Sequence, residues 1–117
     1  LGLSICYDLR FPNHYRQLMK KRADFITVPS AFTKNTGERH WHVLIRSRAI
    51  ENFCYVFAPA QTGLHYNQRE TYGHAMIVSP DGFILSEIQN KTGFIISEID
   101  TKIIKKLRSE IPSIKFD

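Results

Sequence analysis

Gly2-Leu3-Ser4-Ile5-Cys6-Tyr7-Asp8-Leu9-Arg10-Phe11-Pro12 decides how this chain is read. An apolar run closes on Cys6, and the residues after it must turn before Pro12. Residues 1–6 are expected to form a buried strand and residues 12–22 a helix. Pro12 suits the first helical turn, where a missing N–H costs nothing. A thiol at the tip of a buried strand, just before a turn into a helix, is held with its sulfur pointing out of the sheet. Nucleophile-elbow enzymes use that placement. A buried apolar cysteine fits the same position, because free cysteine is among the most buried residue types. Position alone leaves both readings open.

Outward from this stretch, strands and helices alternate. Residues 24–28 (Asp-Phe-Ile-Thr-Val) read as a second strand closed by Pro29, and residues 30–39 as a loop containing Asn35-Thr36-Gly37. Residues 40–53 are the longest helical candidate, with Trp41, Ile45, Ala49 and Phe53 recurring every fourth residue. Residues 54–58 form a third apolar strand ended by Pro59, and residues 61–73 a polar loop. Three further strands are expected, at 75–78, 83–87 and 93–98. The first two are joined by Ser79-Pro80-Asp81-Gly82, a strong hairpin signal. Asp100 is placed to cap a last basic helix over 101–108. Strand–helix units passing into an antiparallel hairpin argue for a mixed α/β sheet with helices on one face.

Composition narrows the class. The 117 residues make one domain at most, and 43% apolar and 23% charged content is ordinary for a globular protein. No apolar run approaches the roughly 20 residues of a membrane span, and no signal-peptide pattern is present. The two cysteines, Cys6 and Cys54, make no disulfide framework, which points to a reducing, cytoplasmic setting. Net charge is +5, concentrated in Lys20-Lys21-Arg22 and in Lys102, Lys105, Lys106 and Arg108. Nothing resembling a nucleic-acid motif accompanies that charge, so a solvated helix face is the expectation and no nucleic-acid or membrane partner is assigned. A chain that starts at Leu1 inside a strand reads as the C-terminal part of something longer.

Several residues carry candidate chemistry. The amide N–H of Tyr7, directly after an elbow nucleophile, shares the space of the sulfur and can donate to a developing oxyanion. A sulfur nucleophile suits an amide or nitrile carbon, because it forms a hydrolysable thioester. Asp8, two residues on, is a turn or helix cap rather than the base. Arg48 and Glu51 can pair at i,i+3, Trp41 belongs to the core, and Cys54 is a small buried hydrophobe. His40 and His42, two apart on a helix, point about 200° apart around the axis. His14, His65 and His74 are scattered, so no metal site and no cofactor are expected.

The opening stretch resembles the cysteine signature of the nitrilase, or carbon–nitrogen hydrolase, superfamily. Pro29-Ser30-Ala31-Phe32, Thr36-Gly37-Glu38-Arg39-His40-Trp41, Arg46-Ser47-Arg48-Ala49-Ile50-Glu51-Asn52 and Tyr72-Gly73-His74 continue the similarity in family order, as does Ser79-Pro80-Asp81-Gly82. The likeness is greatest to the Nit branch of deaminated-glutathione and ω-amidase-like hydrolases. It implies the C-terminal half of a four-layer α-β-β-α nitrilase sandwich, with residues 1–117 a partial domain. It also implies a Glu–Lys–Cys set, in which Cys6 matches the nucleophile. The glutamate and lysine lie N-terminal to it in the family, and neither Lys20 nor Glu51 stands at a motif position. The implied activity is hydrolysis of a small-molecule amide through a cysteine thioester, with release of ammonia. The alternative is an incomplete remnant or split half that acts only by pairing with another chain.

Arg10 resembles a position that binds substrate carboxylate in related carbamoyl-hydrolases, and could equally be a helix-start arginine pairing with Asp8. Ala31, Phe32 and Thr33 resemble a pocket wall near the cysteine, or are ordinary loop packing. Many relatives carry serine where this chain has Ala75, which removes one hydroxyl near His74. Family members commonly form homo-oligomers, and an N-terminal half on another chain is a further partner the resemblance suggests.

Overall fold

The computed structural model describes residues 1–117. Strands β1 (Gly2–Leu3), β2 (Phe25–Thr27) and β3 (Tyr55–Ala58) lie side by side and parallel. Parallel neighbours need long crossovers, and helices α1 (Pro12–Lys20) and α2 (Lys34–Asn52) supply them. A small hairpin follows, β4 (Thr62–Leu64) with β5 (Glu70–Tyr72). Strands β6 (Ala75–Val78) and β7 (Ile84–Ile88) then join the main sheet antiparallel, giving the order β1-β2-β3-β6-β7. Their turn is the expected one: Gly82 donates to the Ser79 carbonyl at 2.8 Å and adopts φ +82°, which glycine tolerates without strain. The sheet is therefore mixed, as its sequence pattern requires.

Period-2 alternation divides the sheet into two faces. Ile26, Val28, Val56, Ala58, Met76 and Val78 point to one face, where they join Leu9, Tyr15, Trp41, Ile45 and Ala49 in a single core. The Val, Ile, Leu and Met side chains among them contribute roughly 1.5–3 kcal/mol each relative to exposure. Helices α1 and α2 thus cover this face. On the other, Phe25 stacks near Tyr55 and Phe57 at centroid distances of 6.0 and 6.1 Å, while Phe25 and Phe57 stay half-buried. A last helix, α3 (Lys102–Glu110), docks at the amino ends of β2 and β3 through Arg108, which reaches Asp24 Oδ1 at 2.7 Å and the Asn52 carbonyl at 3.2 Å. Asp100 Oδ1 accepts from the Lys102 N–H at 2.9 Å, the expected capping contact. No helix is long and apolar enough to cross a membrane.

Four expectations need correction. The opening strand is shorter than residues 1–6 and is not buried on both sides. Gly2 packs against Leu18 and Ala23, but Leu1, Leu3 and Ile5 on its other face are 74%, 67% and 63% exposed. An edge strand with one covered face buries only alternate residues. The loop expected at 30–39 ends early, because α2 starts at Lys34. Asn-Thr-Gly has turn propensity, yet a Cβ on Gly37 would meet Tyr72 Cβ at 2.4 Å, so the glycine lets the helix pass under β5. The polar loop at 61–73 folds into the β4–β5 hairpin. The strand expected at 93–98 is irregular: Ser86 Oγ donates to the Ile96 carbonyl at 3.1 Å and Gly93 lies against Ile88, while Phe94 and Ile96 stay exposed. Apolar content there has no facing surface to bury against.

Candidate active site

The chain leaves the carboxyl ends of β1, β2 and β3 at adjacent points, the usual location of ligand sites in α/β sheets. An open cavity of about 440 Å3 lies there, bounded by Ile5 and Cys6 and by residues 29–31 and 59–61. Its floor continues the sheet. Ser30 N–H donates to the Pro59 carbonyl at 3.0 Å, and Gln61 N–H donates to the Ser30 carbonyl at 2.9 Å.

Cys6 stands at φ +42°, a left-handed conformation uncommon for a residue with a side chain. Such a residue costs about 1–3 kcal/mol and persists only where its surroundings over-determine it. Here they do. Cys6 N–H donates to the Pro29 carbonyl at 2.9 Å, Asp8 N–H to the Ile5 carbonyl at 2.9 Å, and Ile5 N–H to Asp8 Oδ2 at 2.9 Å. Asp8 is the turn cap expected of it. The chain winds at once into a 3₁₀ turn, Cys6–Arg10, before α1. Pro12 follows and has no N–H, so the Leu9 carbonyl lacks its i+3 donor. Buried Arg48 of α2 supplies two, Nε at 3.1 Å and Nη2 at 2.9 Å. Its Nη1 pairs with Glu51 at 3.0 Å, the i,i+3 contact the spacing suggests. Sequence reading treats Arg48 as a structural ion pair; its principal contact is with the turn that carries Cys6.

Within that turn the Tyr7 N–H, whose 3₁₀ partner would be the Ser4 carbonyl, makes no hydrogen bond. A half-buried thiol thus sits beside a free backbone donor at the edge of a cavity. The arrangement suits attack on an electrophilic carbon whose oxygen gains charge. No carboxylate, lysine or histidine lines the cavity. Cys54 is the contrasting case. It is fully buried, and burial pushes its thiol up to about 12, with the Arg108 charge opposing and Asp24 adding to the rise.

The other selected residues divide. Ala31 lines the cavity with Cys6, and its carbonyl accepts from Arg69 Nη2 of the hairpin at 2.8 Å. Phe32 points into the core against Trp41, ring centroids 5.0 Å apart. Thr33 N-caps α2 and faces a separate charged hollow with Lys34, Arg69 and Glu70. Arg10 makes no salt bridge with Asp8. Its guanidinium lies 5.3 Å from the Phe32 centroid and 5.8 Å from that of Tyr7, and Nη1 contacts His40 Nδ1 at 3.3 Å. Arg10 is therefore a cation held by aromatic faces with no carboxylate partner. Residues 59–61 carry no motif in the sequence, and their one signal is that they follow the carboxyl end of the third parallel strand.

Two histidines occupy a different place. His42 Nε2 contacts Glu87 Oε1 at 2.8 Å, and His74 stacks on Tyr72 at 3.9 Å. Burial, helped by Glu87 and Glu38, raises the Tyr72 hydroxyl above its ordinary range. This cluster ties α2 to β5 and β7, away from Cys6. No group of three or more His, Cys, Asp or Glu side chains is gathered as a metal site would need.

The sequence model described as carbon-nitrogen hydrolase matches residues 1–109. The chain is 55% identical over 115 residues to a deaminated glutathione amidase of Synechocystis sp., covering 98% of this chain and 42% of that protein. Among solved structures it is similar to the NitFhit protein of C. elegans, with a TM-score of 0.96 and 45% identity over 99% of this chain and 28% of the other. It is also similar to Nit3 of Saccharomyces cerevisiae, a member of branch 10 of the nitrilase superfamily, with a TM-score of 0.88 and 37% identity over 95% of this chain and 41% of the other. The chain spans about two-fifths of the length of the Synechocystis relative.

Proposed function

This chain belongs to the carbon-nitrogen hydrolase family, and from that premise we propose that it carries the nucleophile and part of the pocket of an amidase acting on a small-molecule amide. Cys6 is the nucleophile. Its thiolate adds to the amide carbonyl carbon, the Tyr7 N–H donates to the resulting oxyanion, and the C–N bond breaks as nitrogen takes a proton and leaves as ammonia. Water then hydrolyses the thioester, giving the carboxylic acid and restoring the thiol. The observation that carries this reading is the strained Cys6 backbone at φ +42° beside an unpaired N–H at the cavity edge.

Arg10 and Ala31 complete the substrate side, with the Phe32 ring against the Arg10 guanidinium. An arginine held over two rings with no carboxylate of its own is a ready partner for a substrate carboxylate. That chemistry agrees with the Synechocystis relative's name, deaminated glutathione amidase. The cavity lining offers no base and no lysine. On this reading the glutamate and lysine implied by the family resemblance are supplied by sequence outside these residues. The chain by itself is then expected to turn over no amide. A reducing cytoplasmic setting, in which both cysteines stay free, and a homo-oligomeric complete enzyme belong to the same reading.

The second reading, a remnant or split half that works only by pairing, draws on the exposed strip at Leu1, Leu3 and Ile5. One experiment separates the two. The chain is assayed on short ω-amides alone, and again when joined to the N-terminal portion of the Synechocystis relative. Ammonia release by the joined protein, abolished by Cys6→Ala, is expected. No release from a folded joined protein favours the remnant, and Cys6-dependent release by the chain alone removes the need for an outside base.

A further inference from the structure

Cys6 lies between two residues whose side chains meet in the core. Ser4 follows β1 and Tyr15 belongs to α1, and their side-chain oxygens are 2.9 Å apart. Ser4 Oγ also donates to the Thr27 carbonyl at 2.9 Å. That uses its one proton, since a carbonyl only accepts, so the Tyr15 hydroxyl donates to Ser4. Tyr15 is fully buried and Ser4 nearly so. The pair therefore ties the strand before the elbow to the helix after it. The ladder to β2 has a gap at the same point. Ser4 N–H donates to the Thr27 carbonyl at 3.1 Å and Cys6 N–H to the Pro29 carbonyl at 2.9 Å. The parallel rung between them would run from residue 29 to the Ser4 carbonyl, and Pro29 has no N–H to give. Pro59 leaves the Val28 carbonyl in the same position one strand further on, and there Ser30 Oγ supplies the donor at 3.0 Å. The Ser4 carbonyl accepts no backbone donor.

Cys6 keeps φ +42° only while its surroundings over-determine it. After the cysteine, Asp8 and Arg48 hold the turn at Ile5 and at Leu9. Before it, with a rung missing, the bond from Tyr15 is what fixes Ser4 to α1. Resting on the amidase reading above, we infer that Tyr15 is a positioning residue whose hydroxyl, acting through Ser4, keeps the Cys6 sulfur and the Tyr7 N–H aimed at one point. Tyr15 itself touches no substrate. Loss of its hydroxyl lets Cys6 relax out of the left-handed region, where φ and ψ change together, so the Cys6–Tyr7 peptide turns relative to the sulfur. Attack on a carbonyl needs both groups in place, whereas displacement at a saturated carbon needs the sulfur alone.

Two reagents separate these cases on the chain itself, with peptide mapping to follow Cys6 apart from Cys54. With p-nitrophenyl acetate the sulfur bonds to the acyl carbon through an oxyanion, and the C–O bond breaks with its electron pair leaving on p-nitrophenolate. With iodoacetamide the same sulfur displaces iodide and no oxyanion forms. Tyr15→Phe keeps the buried ring beside Arg48, whose guanidinium carbon lies 5.6 Å from its centroid, and leaves no buried donor unpaired. It should lower the ratio of acylation to alkylation rates roughly three- to tenfold. Ser4→Ala should do the same, and the double variant no more than either, since both cut one link. Ile45→Val, which opens a small void in the same core, should lower Tm and leave the ratio at its wild-type value. The inference is overturned if Tyr15→Phe keeps the wild-type ratio, if Ile45→Val lowers it equally, or if the losses in the double variant add. Failure of the amidase reading looks different: the wild-type ratio at Cys6 would then match that of the same thiol in urea, and the inference would fall with it.

Discussion

Replacing Arg48 by methionine should unlock the turn that carries Cys6. Arg48 is buried, and two of its nitrogens donate to the Leu9 carbonyl, which Pro12 leaves without a helical donor. Hydrogen bonds from a charged donor contribute roughly 1.5–3 kcal/mol each, and two on one acceptor do not add fully. Methionine keeps most of the volume but orphans a carbonyl on a residue that is 0% exposed. We expect a loss of about 3 kcal/mol. With an unfolding entropy of about 2 cal/mol/K per residue, that lowers Tm by roughly 12 °C in a chain of this size. Glu51→Gln is the comparator. It breaks the Arg48 pair, but the Glu51 side chain is 41% exposed, so the loss should stay below about 1 kcal/mol. Thermal and urea melts of both variants read the difference, and iodoacetamide labelling reads the turn, with Cys6 reactivity changing in R48M and not in E51Q. Should R48M melt within about 4 °C of wild type, the Leu9 carbonyl is not held by Arg48 and the account of the elbow fails.

The thiols should differ in native protein at pH 8: with Cys54 raised from 9.0 to about 12, its thiolate fraction falls about a thousandfold, so labelling should be confined to Cys6 until denaturant is added. Alkaline stability follows from the same shift. A folded value above the unfolded one leaves the stabilisation intact below pH 9 and removes it as pH rises toward 12, by at most roughly 1.4 kcal/mol per unit, and Tyr15, raised from 10.0 to about 12, adds to the loss above pH 10. Cys54→Ala should therefore flatten a plot of urea midpoint against pH between 9 and 11. Gly37→Ala should cost about 1–3 kcal/mol by driving α2 against Tyr72, read by urea melts; an unchanged midpoint would mean that the hairpin moves aside freely. Leu3→Thr with Ile5→Thr should reduce self-association of the chain on size-exclusion chromatography without shifting its melt, because both side chains are already exposed.

How far the sequence reaches can be seen residue by residue. Trp41, Ile45 and Ala49 recur at helical spacing and pack where that spacing says they should. The Ser79–Gly82 turn and the Asp8 cap are local chemistry and were readable as such. The helix start at Lys34 was not, since Gly37 looks like a turn residue until Tyr72 comes to lie over it from 35 positions away. The same holds for the hairpin at β4–β5, whose strands have too little apolar alternation to announce themselves, and for residues 93–98, whose apolar pattern announces a strand the sheet does not take up. Arg10 shows the limit at the site. Sequence leaves a pairing with Asp8 open, and only the structure turns its guanidinium onto Phe32 and Tyr7.

What the sequence by itself determines is the succession of β1, α1, β2, α2 and β3 and the β6–β7 hairpin, the mixed sheet they form, and the position of Cys6 at the end of the first strand. These follow from periodicity and turn chemistry, which act between near neighbours in the chain. What only the tertiary structure decides is the site around that cysteine. The left-handed backbone of Cys6 is held by a carbonyl from beyond β2, its turn by an arginine from α2, and its cavity is closed by residues after β3. Those contacts join segments tens of residues apart, and their strength depends on burial and direction, which no local pattern encodes.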